Sequence, residues 1–348
     1  MKEGSKMKKA ALFVVLAVFQ SGIFASGNVT ATDNITDVNN SCFRITTPTA
    51  TYYFDKVGAG FTSIVDKQGN DWIGYDDNSS SGSAGYYRGL PNLGDCCHPG
   101  YPSIYGEGPT DMTSTKTVDE TDHVRITSIG HKSGTWQTAW DFYPSYAQLT
   151  VVSAAQAFAA IYEGTPGGSF QTSDYYYTSD GVKHMCSETH DGVDLPDPEW
   201  VAFCDNSINR CLLYVNHSSP DNIPDTYWGM ENNMTVFGFA RTCHGGCNAF
   251  PAAAVPKKFT IALLETRVFA NIKTAAENVL SGGSPTRVLP AQEMRSLAGA
   301  RPGGATGAAY DLRGSRLGAG AQASQRPSKT SGVYVEVNAR GIGCLIIR

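Results

Sequence analysis

Ala50-Thr51-Tyr52-Tyr53-Phe54-Asp55-Lys56, Gly58-Ala59-Gly60-Phe61-Thr62-Ser63-Ile64-Val65-Asp66-Lys67 and Gly69-Asn70-Asp71-Trp72-Ile73 follow one another almost without interruption. Each is a short run rich in β-branched and aromatic residues, and each is cut off by Gly, Asn or Asp. That grammar predicts strands joined by tight turns. The cadence continues outward at 72–75, 124–129, 135–142, 148–152, 158–162, 200–203, 211–215, 235–239 and 259–265. Many short strands at this spacing predict an all-β chain folded as a large antiparallel β-sandwich. Only 271–280 has helical spacing. Residues 27–41 are polar and read as loose, and 85–108 read as a structured Gly- and Pro-rich loop.

The chain has 348 residues, 41% hydrophobic and 11% aromatic, enough for a substantial core. Charged residues make up 17% and the net charge is −5, so no basic face is available for nucleic acid. Lys8 and Lys9 precede the apolar run 10–19, and small residues follow to Ser26. This is the pattern of a secretory signal peptide, residues 1–25, and the run is too short for a membrane span. The expectation is a mature protein without a span, exported to the medium or the cell surface.

Nine cysteines in an exported chain predict disulfides. The runs ending at Cys204 and starting at Cys211 flank Asp205-Asn206-Ser207-Ile208-Asn209, which places the two thiols across a hairpin. Cys243 and Cys247 would close a small loop. A metal site on Cys243, His244 and Cys247 is the sharper alternative, and the oxidising compartment favours the disulfide. Cys96 and Cys97 are expected to bridge elsewhere rather than to each other.

At the far end stand Tyr310-Asp311-Leu312-Arg313-Gly314, Gly332-Val333-Tyr334-Val335 and Leu345-Ile346-Ile347-Arg348. This pattern resembles the C-terminal sorting domain of bacterial type IX secretion cargo. The resemblance implies a small β sorting domain at 309–348, a Gly-, Ala- and Pro-rich linker at 281–308 and a main domain at 27–280. It also implies the secretion machinery as a partner and a bacterial cell-surface or extracellular location. The strand-and-turn run 50–73, in turn, resembles the opening of galactose-mutarotase-like β-supersandwich proteins. The run Ile261-Ala262-Leu263-Leu264-Glu265-Thr266 is similar to the late strand that supplies a glutamate in that family. The implication is a carbohydrate on the concave face of a sheet. Arg88, His98, His217 and Glu265 occur in the order of that family's arginine, two histidines and glutamate.

Candidate chemistry concentrates in three places. The loop 85–108 combines Tyr87, Arg88, Asn92, His98 and Tyr101. A polysaccharide lyase needs a cation to neutralise a uronate, a base for the C5 proton and an acid for the leaving oxygen. Arg88, His98, and Tyr87 or Tyr101 supply those types, although an Arg88 ion pair and a turn-capping His98 fit equally. A second cluster, Tyr162 to Gly168, presents Glu163 at a strand end, and the following Tyr175 and Tyr177 share one strand face, either a sugar-stacking wall or core. A third stretch holds His184, Glu188, His190, Asp191, Asp194, Asp197 and Glu199, with His217 beyond. Its oxygens suit Ca²⁺, but the EF-hand register is missing, so a solvated acidic loop is the default and no cofactor is expected. Arg241 follows a strand and reaches either substrate or an acid. Among the tryptophans 72, 136, 140, 200 and 228, most are expected in the core. The expected catalytic set is Arg88, His98, Tyr101, His190, His217 and Arg241. Tyr87, Asn92, Glu163, Tyr175 and Glu265 would bind substrate. The expected function is carbohydrate-active, a lyase on a polysaccharide, with an epimerase of the mutarotase kind or a non-catalytic glycan-binding or adhesion protein as alternatives.

Overall fold

The computed structural model describes residues 28–94, 96–100, 112–130 and 135–285, and the backbone of 333–337 and 343–347. The signal segment, Tyr101 and most of 281–348 lie outside the described residues. By contact the chain divides into two units, residues 1–288 and 289–348.

The first unit holds two nine-stranded antiparallel sheets. The first sheet runs β1 (Thr30–Asp37), β2 (Asn40–Thr46), β3 (Ala50–Asp55), β4 (Phe61–Asp66), β5 (Gly89–Asn92), β10 (Ala160–Gly164), β17 (Met234–Phe239), β16 (Asp225–Met230) and β13 (Thr189–Val193). The second runs β12 (Lys183–Met185), β11 (Tyr175–Thr178), β14 (Trp200–Cys204), β15 (Cys211–Asn216), β18 (Lys257–Leu264), β9 (Ala147–Ser153), β8 (Trp136–Phe142), β7 (His123–Gly130) and β6 (Thr113–Glu120). The predicted sandwich is therefore the observed architecture. In the second unit, β19 (Val333–Val337) and β20 (Gly343–Ile347) pair as an antiparallel hairpin.

Alternation of side chains across the pleat builds the core between the sheets. Phe61 from the first sheet meets Trp140 from the second at 4.7 Å, Tyr162 meets Phe203 at 5.2 Å, and Tyr214 meets Phe239 at 4.9 Å. The buried Tyr162 hydroxyl donates to the Trp72 carbonyl at 2.7 Å. Across one edge of the sandwich Arg210 joins the sheets, with Nη1 on Asp66 and Nη2 on Glu265, each at 2.7 Å.

The helix α1 (Phe269–Leu280) begins two residues before the predicted stretch. Its buried residues Ile272, Ala275, Ala276 and Val279 cover the outer face of the second sheet, against Trp200, Leu213, Val215 and Ala262. Tyr175 and Tyr177 belong to this outer cluster while Tyr176 points into the main core, the predicted split of faces. Tyr175 is thus packing, not a sugar platform.

Several expectations are corrected. Residues 30–37 are an edge strand, not a loose segment: β1 pairs with β2 although its side chains are mostly exposed. Residues 72–75 form no strand; a single bridge joins Val65 to Asp71, and the Asp71 carboxylate accepts the Ile64 and Ile73 amides at 3.0 Å to close the turn. Within the loop assigned to 85–108 lies β5, in the middle of the first sheet. Cys204–Cys211 and Cys243–Cys247 are bonded as expected, but Cys96 is bonded to its neighbour Cys97. A turn with Cys97 at φ 70° brings those two adjacent side chains together, while Cys42 and Cys186 are buried free thiols.

Candidate functional site

Register places one row of residues across the outer face of the first sheet. Gly89 of β5 lies opposite Glu163 of β10, Glu163 opposite Val236 of β17, and Val236 opposite Trp228 of β16. The adjacent row is Asn92, Ile161, Gly238 and Thr226. Ile161 and Val236, with Ala159 and Met234, form a small apolar patch flanked by Tyr87, Trp228 and Met230.

The two glycines in these rows make room for a histidine and an arginine side chain. A Cβ on Gly89 would come within 2.8 Å of the His98 Nε2, and one on Gly238 within 2.8 Å of the Arg241 Cβ. His98 and Arg241 therefore lie down on the sheet where side chains are missing. Between them stands Glu163, only 5% exposed rather than presented at a strand end. Its Oε2 accepts the Asn92 amide at 3.0 Å and lies 3.4 Å from the His98 Nε2. The His98 Nδ1 is 2.6 Å from the Pro99 carbonyl and Nε2 is 3.2 Å from the Tyr87 carbonyl. An oxygen thus lies within hydrogen-bond reach of each ring nitrogen. His98 is fully buried, so it acts on Glu163 and not on a ligand.

Arg241 is the unusual member. It is 7% exposed, its Nη2 donates to the His244 carbonyl at 2.8 Å, and its Nε and Nη1 are buried with no hydrogen-bond partner. Buried donors on a guanidinium are costly to leave unpaired. Arg241, Glu163, Tyr87, Trp228, Met230 and Val236 line a cleft of about 140 Å³. At its rim the exposed His244 ring lies 5.3 Å from Trp228. The His244 Nδ1 sits 3.0 Å from Asp191 Oδ2, and Asp191 Oδ1 accepts the His244 amide and the Thr226 hydroxyl. Against a cost of desolvation, the His244 ring holds the Asp191 carboxyl below its ordinary range. The cleft thus offers the Arg241 guanidinium, a buttressed carboxylate and two aromatic walls, with the His244 imidazole beside Trp228.

The remaining candidates lie elsewhere. Arg88 donates Nε to the Ser83 carbonyl, Nη1 to Gly74 and Nη2 to Asn233, at 3.2, 3.3 and 2.9 Å, so its guanidinium is spent on holding loops. Asn92 is a buried support for Glu163. His190 lies on edge strand β13, its Nε2 3.2 Å from Glu188, beside His184 in a separate cavity. His217 belongs to the second sheet, with Nε2 2.8 Å from the Thr260 hydroxyl. Glu265 pairs with Arg210. Arg88, His98, His190, His217 and Glu265 therefore do not converge, because they lie on separate strands and loops of the two sheets. The structure brings together Tyr87, His98, Glu163 and Arg241, supported by Asn92. Sequence reasoning missed Asp191 and His244 in this role. The glycines within strands, Arg88-Gly89-Leu90 and Phe237-Gly238-Phe239, were the signal that something packs closely on that face.

No family model and no curated protein matches this chain. Among solved structures, the chain is similar to the crystal structure of HI1317, with 13% identity over 68% of this chain and 99% of that one and a TM-score of 0.45. It is also similar to YeaD of Salmonella typhimurium, provisionally named a mutarotase, with 11% identity over 68% and 96% of the two chains and a TM-score of 0.41.

Proposed function

We propose that the outer face of the first sheet binds a sugar with an acidic edge, and that the protein is a carbohydrate-active enzyme of the epimerase kind. The observation that carries this reading is Arg241, which keeps two unpartnered buried donors and lines a cleft that also contains Glu163. A carboxylate or phosphate on the ligand would supply the guanidinium with a charged acceptor. Trp228 and Tyr87 supply the apolar faces on which a pyranose ring stacks.

Exchange at an anomeric centre needs a base for the O1 proton and an acid for the ring oxygen. Glu163, braced by Asn92 and His98, is suited to the first role, and His244, held by Asp191, to the second. Arg88, the expected cation of a lyase, donates to three carbonyls, so the reading does not rest on it. The three disulfides favour the export reading, with the sorting segment as the address.

The test follows anomer exchange in galacturonate, glucuronate and glucose by NMR, with wild type and Glu163→Gln. Faster exchange of the acidic sugars, lost in Glu163→Gln, supports the reading. An absorbance rise on polymeric uronates would instead mark β-elimination. Retention on a glycan gel without either reaction would mark a binding module.

A further inference from the structure

Two connections cross between the sheets at one end of the sandwich. Residues 194–199 lead from β13 to β14, and 217–224 lead from β15 to β16. Carboxylates gather where they meet: Asp194, Glu199 and Asp225 bring ligand oxygens within 4.8 Å of one another. Asp221 joins through Asn216, whose Nδ2 donates to Glu199 Oε2 at 2.6 Å and to Asp221 Oδ2 at 3.2 Å. Asp197 also adds its charge to Glu199. The one ammonium at the cluster among the described residues is Lys257, 3.8 Å from Asp221.

Glu199 is 1% exposed and its Oε1 has no hydrogen-bond partner. Asp225 is 2% exposed, and each of its oxygens takes a single amide, from Ala240 at 2.8 Å and from Leu195 at 3.2 Å. A carboxylate oxygen in that position, surrounded by like charges, carries a desolvation cost that nothing on the protein offsets. An irregular set of hard oxygens, some monodentate and some still holding a free lone pair, suits Ca²⁺ far better than the octahedral demands of Mg²⁺.

We infer that Asp194, Glu199 and Asp225 hold a calcium ion that ties the two crossing connections together. The ion meets the bare Glu199 Oε1 and neutralises the cluster. Because Asp194 is exposed at the mouth, it gives the ion an entry from solvent. The site shares no lining residue with the sugar cleft.

The experiment is a calorimetric titration of the full chain with calcium chloride, paired with thermal unfolding in calcium and in chelator. A dissociation constant in the extracellular range of about 10⁻⁴ to 10⁻³ M or tighter is expected, with a higher Tm in calcium and no comparable shift in magnesium. Glu199→Gln should abolish the calcium-dependent shift. If that variant fails to fold, Asp194→Asn, an exposed change, should still bind calcium about 10-fold more weakly. No saturable heat up to about 10 mM calcium with folded wild type overturns the inference. So does unchanged affinity in Asp194→Asn.

Discussion

Arg241→Met separates a ligand anchor from a structural arginine. A structural buried cation, paired within the protein, loses about 3–5 kcal/mol of stability when one partner is removed. Arg241 makes one described bond, from Nη2 to the His244 carbonyl, worth about 1.5–3 kcal/mol as a charge-assisted bond. Its Nε and Nη1 are buried without partners, each at a cost of about 1–3 kcal/mol. Removing the guanidinium forfeits the first term and relieves the other two, so the terms nearly cancel or favour the variant. Methionine keeps an unbranched apolar stem over Gly238, so little volume is lost. The expected stability change is within about 1 kcal/mol of zero, or stabilising, by urea unfolding. Affinity for an acidic sugar should meanwhile fall by about 3–5 kcal/mol, two charge-assisted bonds, a loss of at least 100-fold by calorimetry. A destabilisation of about 3 kcal/mol or more, with binding retained, would refute the reasoning.

Other positions yield sharp expectations. Gly89→Ala puts a Cβ 2.5 Å from the Pro99 Cδ and 2.8 Å from the His98 Nε2, so it should cost about 1–3 kcal/mol in denaturant unfolding and disturb the cleft. Replacing Cys204 and Cys211 by alanine opens a loop of sequence separation 7, and chain entropy puts the loss near 2.5 kcal/mol, read as a lower urea midpoint. Burial, aided by Lys258, lowers the His217 pKa. The unfolded chain therefore takes up that proton first, and stability is lost as pH falls from about 6.5 toward the lower folded value. His217→Gln should flatten that acid limb in a stability–pH series while leaving sugar binding unchanged.

The elements legible in the sequence are those whose signals are local. Cys204 and Cys211 face each other because the strands they end are joined by six residues, and the pair sits directly in register. The turn at Asp66–Asn70 was legible for the same reason: the Asp66 Oδ1 takes the amides of Gln68 and Asn70, and Gly69 adopts φ 89°. β5 was hidden because Gly89 and Pro91 mark a loop in any local reading, yet here the glycine admits His98. β1 was hidden because an edge strand with exposed side chains lacks apolar alternation. The cleft joins β5, β10, β16 and β17, which lie far apart along the chain, so only strand order brings Glu163 to Arg241. Arg88 and Tyr87 show the limit most plainly, since neighbours in sequence point to opposite sides and only Tyr87 reaches the cleft.

The most direct measurement is a crystal structure of the protein soaked with galacturonate. The expected result is a sugar stacked on Trp228 with its carboxylate within hydrogen-bond distance of the Arg241 guanidinium. Its anomeric oxygen should lie beside Glu163. A sugar bound elsewhere, or a cleft that stays free of sugar at saturating concentration, would contradict the assignment of this face as the working site.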